Sequence, residues 1–110
     1  MIDTELLQAM HKRIDGSHIA KMEGVTYLLW SDKDFYIALP EDETKDRPSE
    51  CFDVLNRLEN LGMRPSLQKV DNGYSCENDD LEKWPISFTT GNTRTEAVCR
   101  MFVAVAQEVA

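Results

Sequence analysis

The chain has two histidines, His11 and His18, and they are the residues best suited to acid–base chemistry, because imidazole titrates near neutral pH. If the segment after Gly16 is helical, His18 and Asp15 lie on adjacent turns, where the carboxylate would orient the imidazole as a general base. A solvent-facing histidine in a short polar helix explains the same residues without catalysis. We favour that interpretation, and an enzyme that uses His18 stays an alternative.

Three cysteines, Cys51, Cys76 and Cys99, are the candidate nucleophiles and metal ligands. They form no Cys-x-x-Cys pair and neither histidine has a second ligand at zinc spacing, so we predict no metal and no cofactor. Cys51 and Cys99 fall on apolar helix faces, where a buried and inert thiol is expected. The neighbouring acidic segment disfavours a thiolate at Cys76. An odd number of widely spaced thiols suits the reducing cytoplasm better than a disulfide framework.

Carboxylates are concentrated in two short segments. Residues 41–50 have a net charge of −3 and residues 77–82 a net charge of −4, which together make up −7 of the chain's −8. The second segment lacks the glycine and the terminal glutamate of a calcium-binding EF-hand loop. A solvated loop is the default interpretation. The sharper hypothesis is that both segments imitate nucleic-acid phosphates and occupy a basic groove on a host protein, with these partner-binding residues: Glu41, Asp42, Glu43, Asp46, Glu77, Asp79, Asp80 and Glu82.

The overall charge excludes some classes of partner. A net charge of −8 repels nucleic acid, whose binding rests on clustered lysine and arginine. No basic region precedes an apolar run at the start of the sequence, and the longest apolar stretch, 97–106, is about half the length that a bilayer requires. We therefore expect no direct contact with nucleic acid or membrane, and a protein with a basic surface as the electrostatic partner.

The segment Gly91-Asn92-Thr93 precedes a predicted helix and offers backbone amides that suit a phosphate. The carboxylate of Glu96 competes for the same place. No glycine-rich nucleotide motif accompanies the segment, so binding or sequestration of a small anionic ligand or nucleotide is a further alternative.

Helical periodicity predicts three helices and one short helical turn that position these residues. Each has a signal at one end: a capping residue, a proline in the first turn or a glycine after the last. The predicted segments are a first helix from Asp3 or Thr4 to Gly16, a short turn from Ser17 to Gly24, a second helix from Pro48 to Gly62, and a third from the Thr93/Glu96 capping box to Ala110.

The third helix is apolar nearly all round, so two of its surfaces must be covered. One stripe, which includes Val98, Met101 and Phe102, suits a sheet. The second needs either the first helix of the same chain or a second copy, which leaves the chain a monomer or a homodimer. This helix-packing or oligomer face consists of Cys99, Val103, Ala106 and Ala110.

Runs of aromatic and aliphatic residues predict five strands. They are Val25–Trp30 and Phe35–Leu39 around the turn 31–34, Ser66–Val70 and a strand from Tyr74 around Asn72-Gly73, and an alternating strand Trp84–Thr90. With 110 residues and 42% apolar composition, the chain suits one α+β domain. We expect one small antiparallel sheet of about four to five strands with helices on both faces.

Residues 14–25 resemble the opening of the phage ABA-sandwich domain family, in which a helical Asp-x-x-[aliphatic]-Ala-x-x-[Met/Leu]-Gly segment precedes an aromatic strand. Later motifs follow in the same order over about Ile14 to Val109. They are Leu39-Pro40 after the second strand, a helix from Phe52 that ends in Gly62, and Ala97-Val98-Cys99-Arg100 in the closing helix.

The chain departs from this family at Val25, where tryptophan is frequent, in the more acidic loop after Leu39, and in an enlarged segment between Tyr74 and Trp84. The resemblance implies an antiparallel sheet sandwiched between helices and a phage or prophage origin, and it implies no activity. We therefore predict a small accessory protein in the host cytoplasm that binds, and inhibits, a host anti-phage defence protein through its acidic loops, and we lean against an enzyme.

Overall fold

A computed structural model describes residues 2–39 and 48–109. Within these ranges the chain forms three helices and two separate three-stranded antiparallel sheets. The elements are α1 (Thr4–His11), β1 (His18–Met22), β2 (Val25–Trp30), β3 (Phe35–Leu39), α2 (Pro48–Asn60), β4 (Pro65–Val70), β5 (Gly73–Asn78), β6 (Phe88–Gly91) and α3 (Arg94–Val105). The α+β class is confirmed, whereas one sheet of four to five strands with helices on both faces is not.

The first sheet has the order β1-β2-β3 and contains a strand where we predicted a helical turn. Residues 18–22 pair antiparallel with β2, with Ile19 opposite Leu28. Glu23 and Gly24 have φ angles of 52° and 80°, which make the two-residue left-handed turn typical of tight hairpins. Ala-Lys-Met at 20–22 are good helix formers, and the pairing with β2 overrides that weak local preference.

The turn between β2 and β3 is strained. Ser31, Asp32 and Lys33 have φ angles of 53°, 57° and 72°, a left-handed conformation that costs each non-glycine residue roughly 1 kcal/mol or more. The strands on either side hold it: the rings of Trp30 and Phe35 stack with centroids 6.1 Å apart. The predicted β2–β3 hairpin is therefore present, with a turn that local propensity does not favour.

The second sheet has the order β4-β5-β6, and its last strand is shorter than predicted. The hairpin near Asn72 is confirmed, with Val70 opposite Gly73. The expected strand Trp84–Thr90 is wrong in its first half, because β6 begins only at Phe88. The Trp84 and Ile86 carbonyls accept from the buried side chain of Asn78 instead of from a neighbouring strand.

Helix α3 packs against β5, β6 and both other helices, and α2 also contacts β3 and β4. Buried residues from all three helices and both sheets make one hydrophobic cluster. The prediction that α3 continues to Ala110 is wrong: it ends at Val105, and the following backbone is extended at Ala106. That segment runs along α1, where the Val109 amide donates to the Lys12 carbonyl at 2.7 Å and Arg13 Nε donates to the Ala106 carbonyl at 3.1 Å.

Candidate interaction surfaces

The acidic segment after β5 is organised by one buried amide. Asn78 is 6% exposed, and its Nδ2 donates to the carbonyls of Asp80, Trp84 and Ile86 at 2.9–3.0 Å. Its Oδ1 accepts from the Asp80 amide at 2.9 Å. The Asp80 carboxylate accepts in turn from the Lys83 amide at 3.2 Å. The loop is therefore a defined turn, and Asp80 shapes it from within.

The other carboxylates of this segment lie nearer the surface. Asp79 and Glu82 are exposed, and Glu77 is half-buried and accepts from Gln68 Nε2 at 3.0 Å. Lys83 follows them, and its ammonium lies 5.4 Å from the centre of the Trp84 ring. Of the four predicted partner-binding residues in this loop, three thus remain available to a partner.

Two large apolar side chains share this end of the second sheet. Leu81, in the loop, and Phe88, at the start of β6, are each 57% exposed. Phe88 is the register partner of Glu77. We call the set Glu77, Asp79, Leu81, Glu82 and Phe88 the acidic end.

Sequence reasoning missed the exposure of Phe88, which alternation with Trp84 and Ile86 assigned to the packed face of a strand. Thr89 Oγ1 donates to the Ala97 carbonyl at 2.7 Å, so Thr89 faces α3. Successive strand residues point to opposite faces, and Phe88 therefore points away from the helix. Pro85 is a signal in the sequence that the strand is interrupted, because proline has no amide proton to donate to a ladder. The alternation before Pro85 therefore does not have to continue to Phe88.

The first acidic segment contributes less. The predicted partner-binding residues Glu41, Asp42, Glu43 and Asp46 lie outside the described residues. Glu50, at the end of the same segment, is in the first turn of α2 and only 4% exposed, and it accepts from Ser49 Oγ at 3.1 Å. Its charge is therefore not part of an acidic surface.

At the start of α3, two backbone amides that could bind an anion donate instead to side chains of the same chain. The Asn92 amide donates to Glu96 Oε2 at 3.0 Å and the Glu96 amide to Thr93 Oγ1 at 3.1 Å, a capping box displaced by one residue. Arg100 Nη2 lies 3.1 Å from Glu96 Oε1, and Arg100 Nη1 donates to the Thr90 carbonyl. The adjoining groove, lined in part by Asp71, Glu96 and Arg100, thus has its arginine and its buried carboxylate paired with each other.

The helical arrangement that the alternative interpretation of His18 as a base requires is not present. His18 opens β1, so the helical geometry assumed for its pairing with Asp15 is wrong. His11 Nδ1 lies 2.8 Å from Ser17 Oγ, and that hydroxyl donates to the His11 carbonyl at 3.1 Å. The Ser17 hydroxyl thus contacts both the imidazole and the backbone carbonyl of His11, and the pair closes the end of α1.

The three cysteines form no disulfide with one another, and all three are buried. Burial raises the pKa of the Cys76 thiol to about 12, and electrostatic repulsion of a thiolate by Cys51 and Glu77 adds to the increase. A thiol in this state is a poor nucleophile, because the thiolate is the reactive form. Among residues 2–39 and 48–109, no three His, Cys, Asp or Glu side chains cluster in a way that could hold a metal ion.

The second stripe of α3 lies largely inside the chain. Cys99 is fully buried, and Val103 and Ala106 are half-buried and pack against the core. Helix α1 packs against α3, which is the first of the two coverings that we considered for this stripe. Ala110 lies outside the described residues.

A different surface is apolar and turned away from the helices. Trp30 Nε1 donates to Asp53 of α2, so Trp30 and its same-face neighbours Leu28 and Ile37 mark the inner side of the first sheet. The alternate residues form the outer side. We call this set the tyrosine face: His18, Ala20, Met22, Val25, Tyr27, Leu29, Tyr36 and Ala38.

Comparisons with protein-family models, curated proteins and solved structures found no match. The resemblance to phage ABA-sandwich domains stays a prediction from the order of the motifs. Within the part of the chain that the structure describes, none of the helices is both long enough and apolar enough to span a bilayer.

Proposed function

We propose that this protein acts by binding a protein with a basic surface, and that the acidic end is the contact. The observation that carries the proposal is that Leu81 and Phe88 are each 57% exposed on the same end of the sheet as three carboxylates. Interfaces place desolvated apolar anchors at the centre and charges at the rim. The carboxylates would steer a basic partner, and the two apolar side chains would supply contact area.

The internal bonding of the loop supports the same proposal. Asn78 and Asp80 hold the segment in one turn before any partner arrives. A preorganised loop loses less conformational entropy on binding than a flexible one. Exposed carboxylates attract over a distance comparable to the Debye length, about 8 Å at physiological salt, so binding will weaken as salt increases.

The resemblance to phage ABA-sandwich domains extends the proposal. Under it, this is a small phage or prophage accessory protein that works in the host cytoplasm, and its basic partner is a host anti-phage defence protein that it inhibits. The extension rests on the order of the sequence motifs, whereas the binding surface itself rests on the exposure of Leu81 and Phe88.

The test is affinity capture from a bacterial lysate with a neutralised variant, Glu77→Gln/Asp79→Asn/Glu82→Gln. Asp80 stays unchanged because its carboxylate accepts from the Lys83 amide. The matched control, Asp15→Asn/Glu23→Gln/Asp32→Asn, removes the same number of carboxylates, all of them exposed, from around the first sheet. We expect a basic protein that wild type and control retain and the neutralised variant loses, with the affinity of the purified pair reduced at least about tenfold. Equal retention by both variants, or retention that does not depend on salt, contradicts the proposal.

Thermal melting in the presence of nucleotides or divalent metals tests the alternatives. A protein that binds only another protein should show no shift, since a ligand raises the melting temperature only when it binds the native state. A shift with a nucleotide would favour the anionic-ligand alternative.

A further inference from the structure

We propose that the tyrosine face is the surface through which two copies of this chain associate. The proposal is independent of the acidic end, which lies on the other sheet. It also differs from the oligomer face that the sequence suggested, because Cys99 in that stripe is fully buried within one chain.

The composition of the tyrosine face sets it apart. Its members are aliphatic or aromatic except for His18, and none is an aspartate, glutamate, lysine or arginine, although such residues make up 29% of the chain. Met22 is 57% exposed, and most of the other side chains are half-buried. Tyr27 and Tyr36 meet edge to face with ring centroids 5.9 Å apart. A contiguous apolar surface of this kind marks a site of association more often than a random surface.

The lack of charged residues on the tyrosine face favours a second copy of this chain as its binding partner. In a twofold contact each residue meets the same surface of its partner, so any acidic patch repels its own copy. With a net charge of −8, repulsion opposes self-association of this chain least at a surface that carries little charge. The tyrosine face meets that condition. A basic partner, by contrast, would find no carboxylate among these eight described residues to pair with.

The geometry also suits a copy of the same sheet. Antiparallel sheets stack face to face at about 10 Å, with strands crossing at about 30°. Three strands of five or six residues span roughly 15 by 18 Å. That footprint, about 270 Å² on each copy, is well below the roughly 800 Å² per partner of a standard interface, so the dimer should be weak and form only towards the millimolar end of the concentration range. Tyrosine is among the residues that contribute most to such contacts.

The experiment is sedimentation velocity on the full chain over about 1 µM to 1 mM, at constant salt. Met22→Glu and Met22→Lys each place a charge on the face at an exposed strand end, where folding should not suffer; circular dichroism checks this. We expect a wild-type dimer whose dissociation constant increases at least about tenfold in both variants. Phe88→Glu, equally exposed but on the second sheet, is the control and should leave the dimer intact.

The pair of Met22 variants separates a local contact from overall charge. If repulsion between whole molecules governed association, Met22→Lys would strengthen the dimer by lowering the net negative charge. A wild-type chain that stays monomeric over the range, a dimer that survives both Met22 variants, or one that Phe88→Glu disrupts equally, overturns the proposal. Because Phe88 belongs to the acidic end and Met22 does not, failure here leaves the proposed function standing, and the reverse also holds.

Discussion

The two sheets have the same topology, three antiparallel strands joined in sequence, and opposite outer surfaces. The outer side of the first sheet is the uncharged tyrosine face. The outer side of the second sheet is mainly polar, and there Gln68 and Glu77 are hydrogen-bonded to each other and Phe88 is exposed. The comparison shows that topology does not determine how a sheet meets its surroundings. The residue types at alternate positions do.

The hairpin turns of the two sheets differ as well. In the first sheet Gly24 has a φ angle of 80°, and a Cβ added there would meet nothing within 4 Å. In the second sheet Gly73 has a φ angle of 155°, and an added Cβ would lie 2.2 Å from the Gly91 carbonyl oxygen. One glycine provides backbone freedom only, whereas the other also makes room for a neighbouring strand.

The largest expected effect follows from this difference. Gly73→Ala should lower the free energy of unfolding by about 3 kcal/mol or more, because both backbone strain and a backbone clash with β6 must be relieved. Gly24→Ala should cost only about 1 kcal/mol, from backbone strain alone. Urea denaturation of the two variants measures the difference, and equal losses would mean that the close approach of β5 and β6 is absent.

A smaller effect should strengthen the first sheet. Glu23 occupies a left-handed position immediately before Gly24, where asparagine is favoured in two-residue hairpin turns. Glu23→Asn should therefore raise the free energy of unfolding by about 0.5–1 kcal/mol. Lys21→Asn, on the adjacent strand and also exposed, is the control and should not stabilise. A destabilised Glu23→Asn protein would argue against the β1–β2 hairpin.

A further effect, which is absent at neutral pH, concerns the core side of the second sheet at alkaline pH. The pKa of the Cys76 thiol is raised to about 12, mainly by burial, from an ordinary value of 9.0. Below pH 9 the thiol is protonated whether the chain is folded or unfolded. As pH rises through 9 the unfolded chain loses the proton first, so stability decreases towards pH 12. The residues that the first sheet contributes to the buried core, Leu28, Trp30 and Ile37, do not titrate.

Denaturation at pH 8 and pH 10.5 measures this loss of folding stability. The loss of stability should be smaller in Cys76→Ala than in wild type, because the other alkaline titrations are common to both proteins. An identical pH dependence in the two proteins would mean that Cys76 is not buried in the folded state. In the native protein at pH 8, thiol reagents should also react slowly until denaturant is added.

Local patterns in the sequence predicted several elements well. The helical periodicity of Cys51, Val54 and Leu58 identified α2, and all three are fully buried. The Thr93/Glu96 capping box located the start of α3, with the Glu96 amide bonded to Thr93 Oγ1. The hairpin of β2 and β3 followed from its aliphatic and aromatic residues. These signals depend only on neighbours within one turn or one strand, and the structure satisfies them locally.

Other features could not be predicted because they depend on contacts between distant residues. Ala20 and Met22 belong to a strand because β2 lies alongside, although their own preference is helical. Trp84 and Ile86 are not part of a strand, because their carbonyl groups accept hydrogen bonds from the Asn78 side chain. The same dependence hid the tyrosine face, since β1 must be recognised as a strand before its residues can be assigned to a side.

The sequence by itself determined the composition of this protein's surfaces: an acidic chain, a segment of four carboxylates at and after the end of β5, and alternating residues that give each strand two different sides. Only the tertiary structure decided which sides face outward. It placed Phe88 beside Glu77 by turning Thr89 toward α3, and it left Tyr27 and Met22 facing away from the core. The physical reason is that alternation fixes which residues share a side, whereas the packing of a sheet against helices selects the side that is buried.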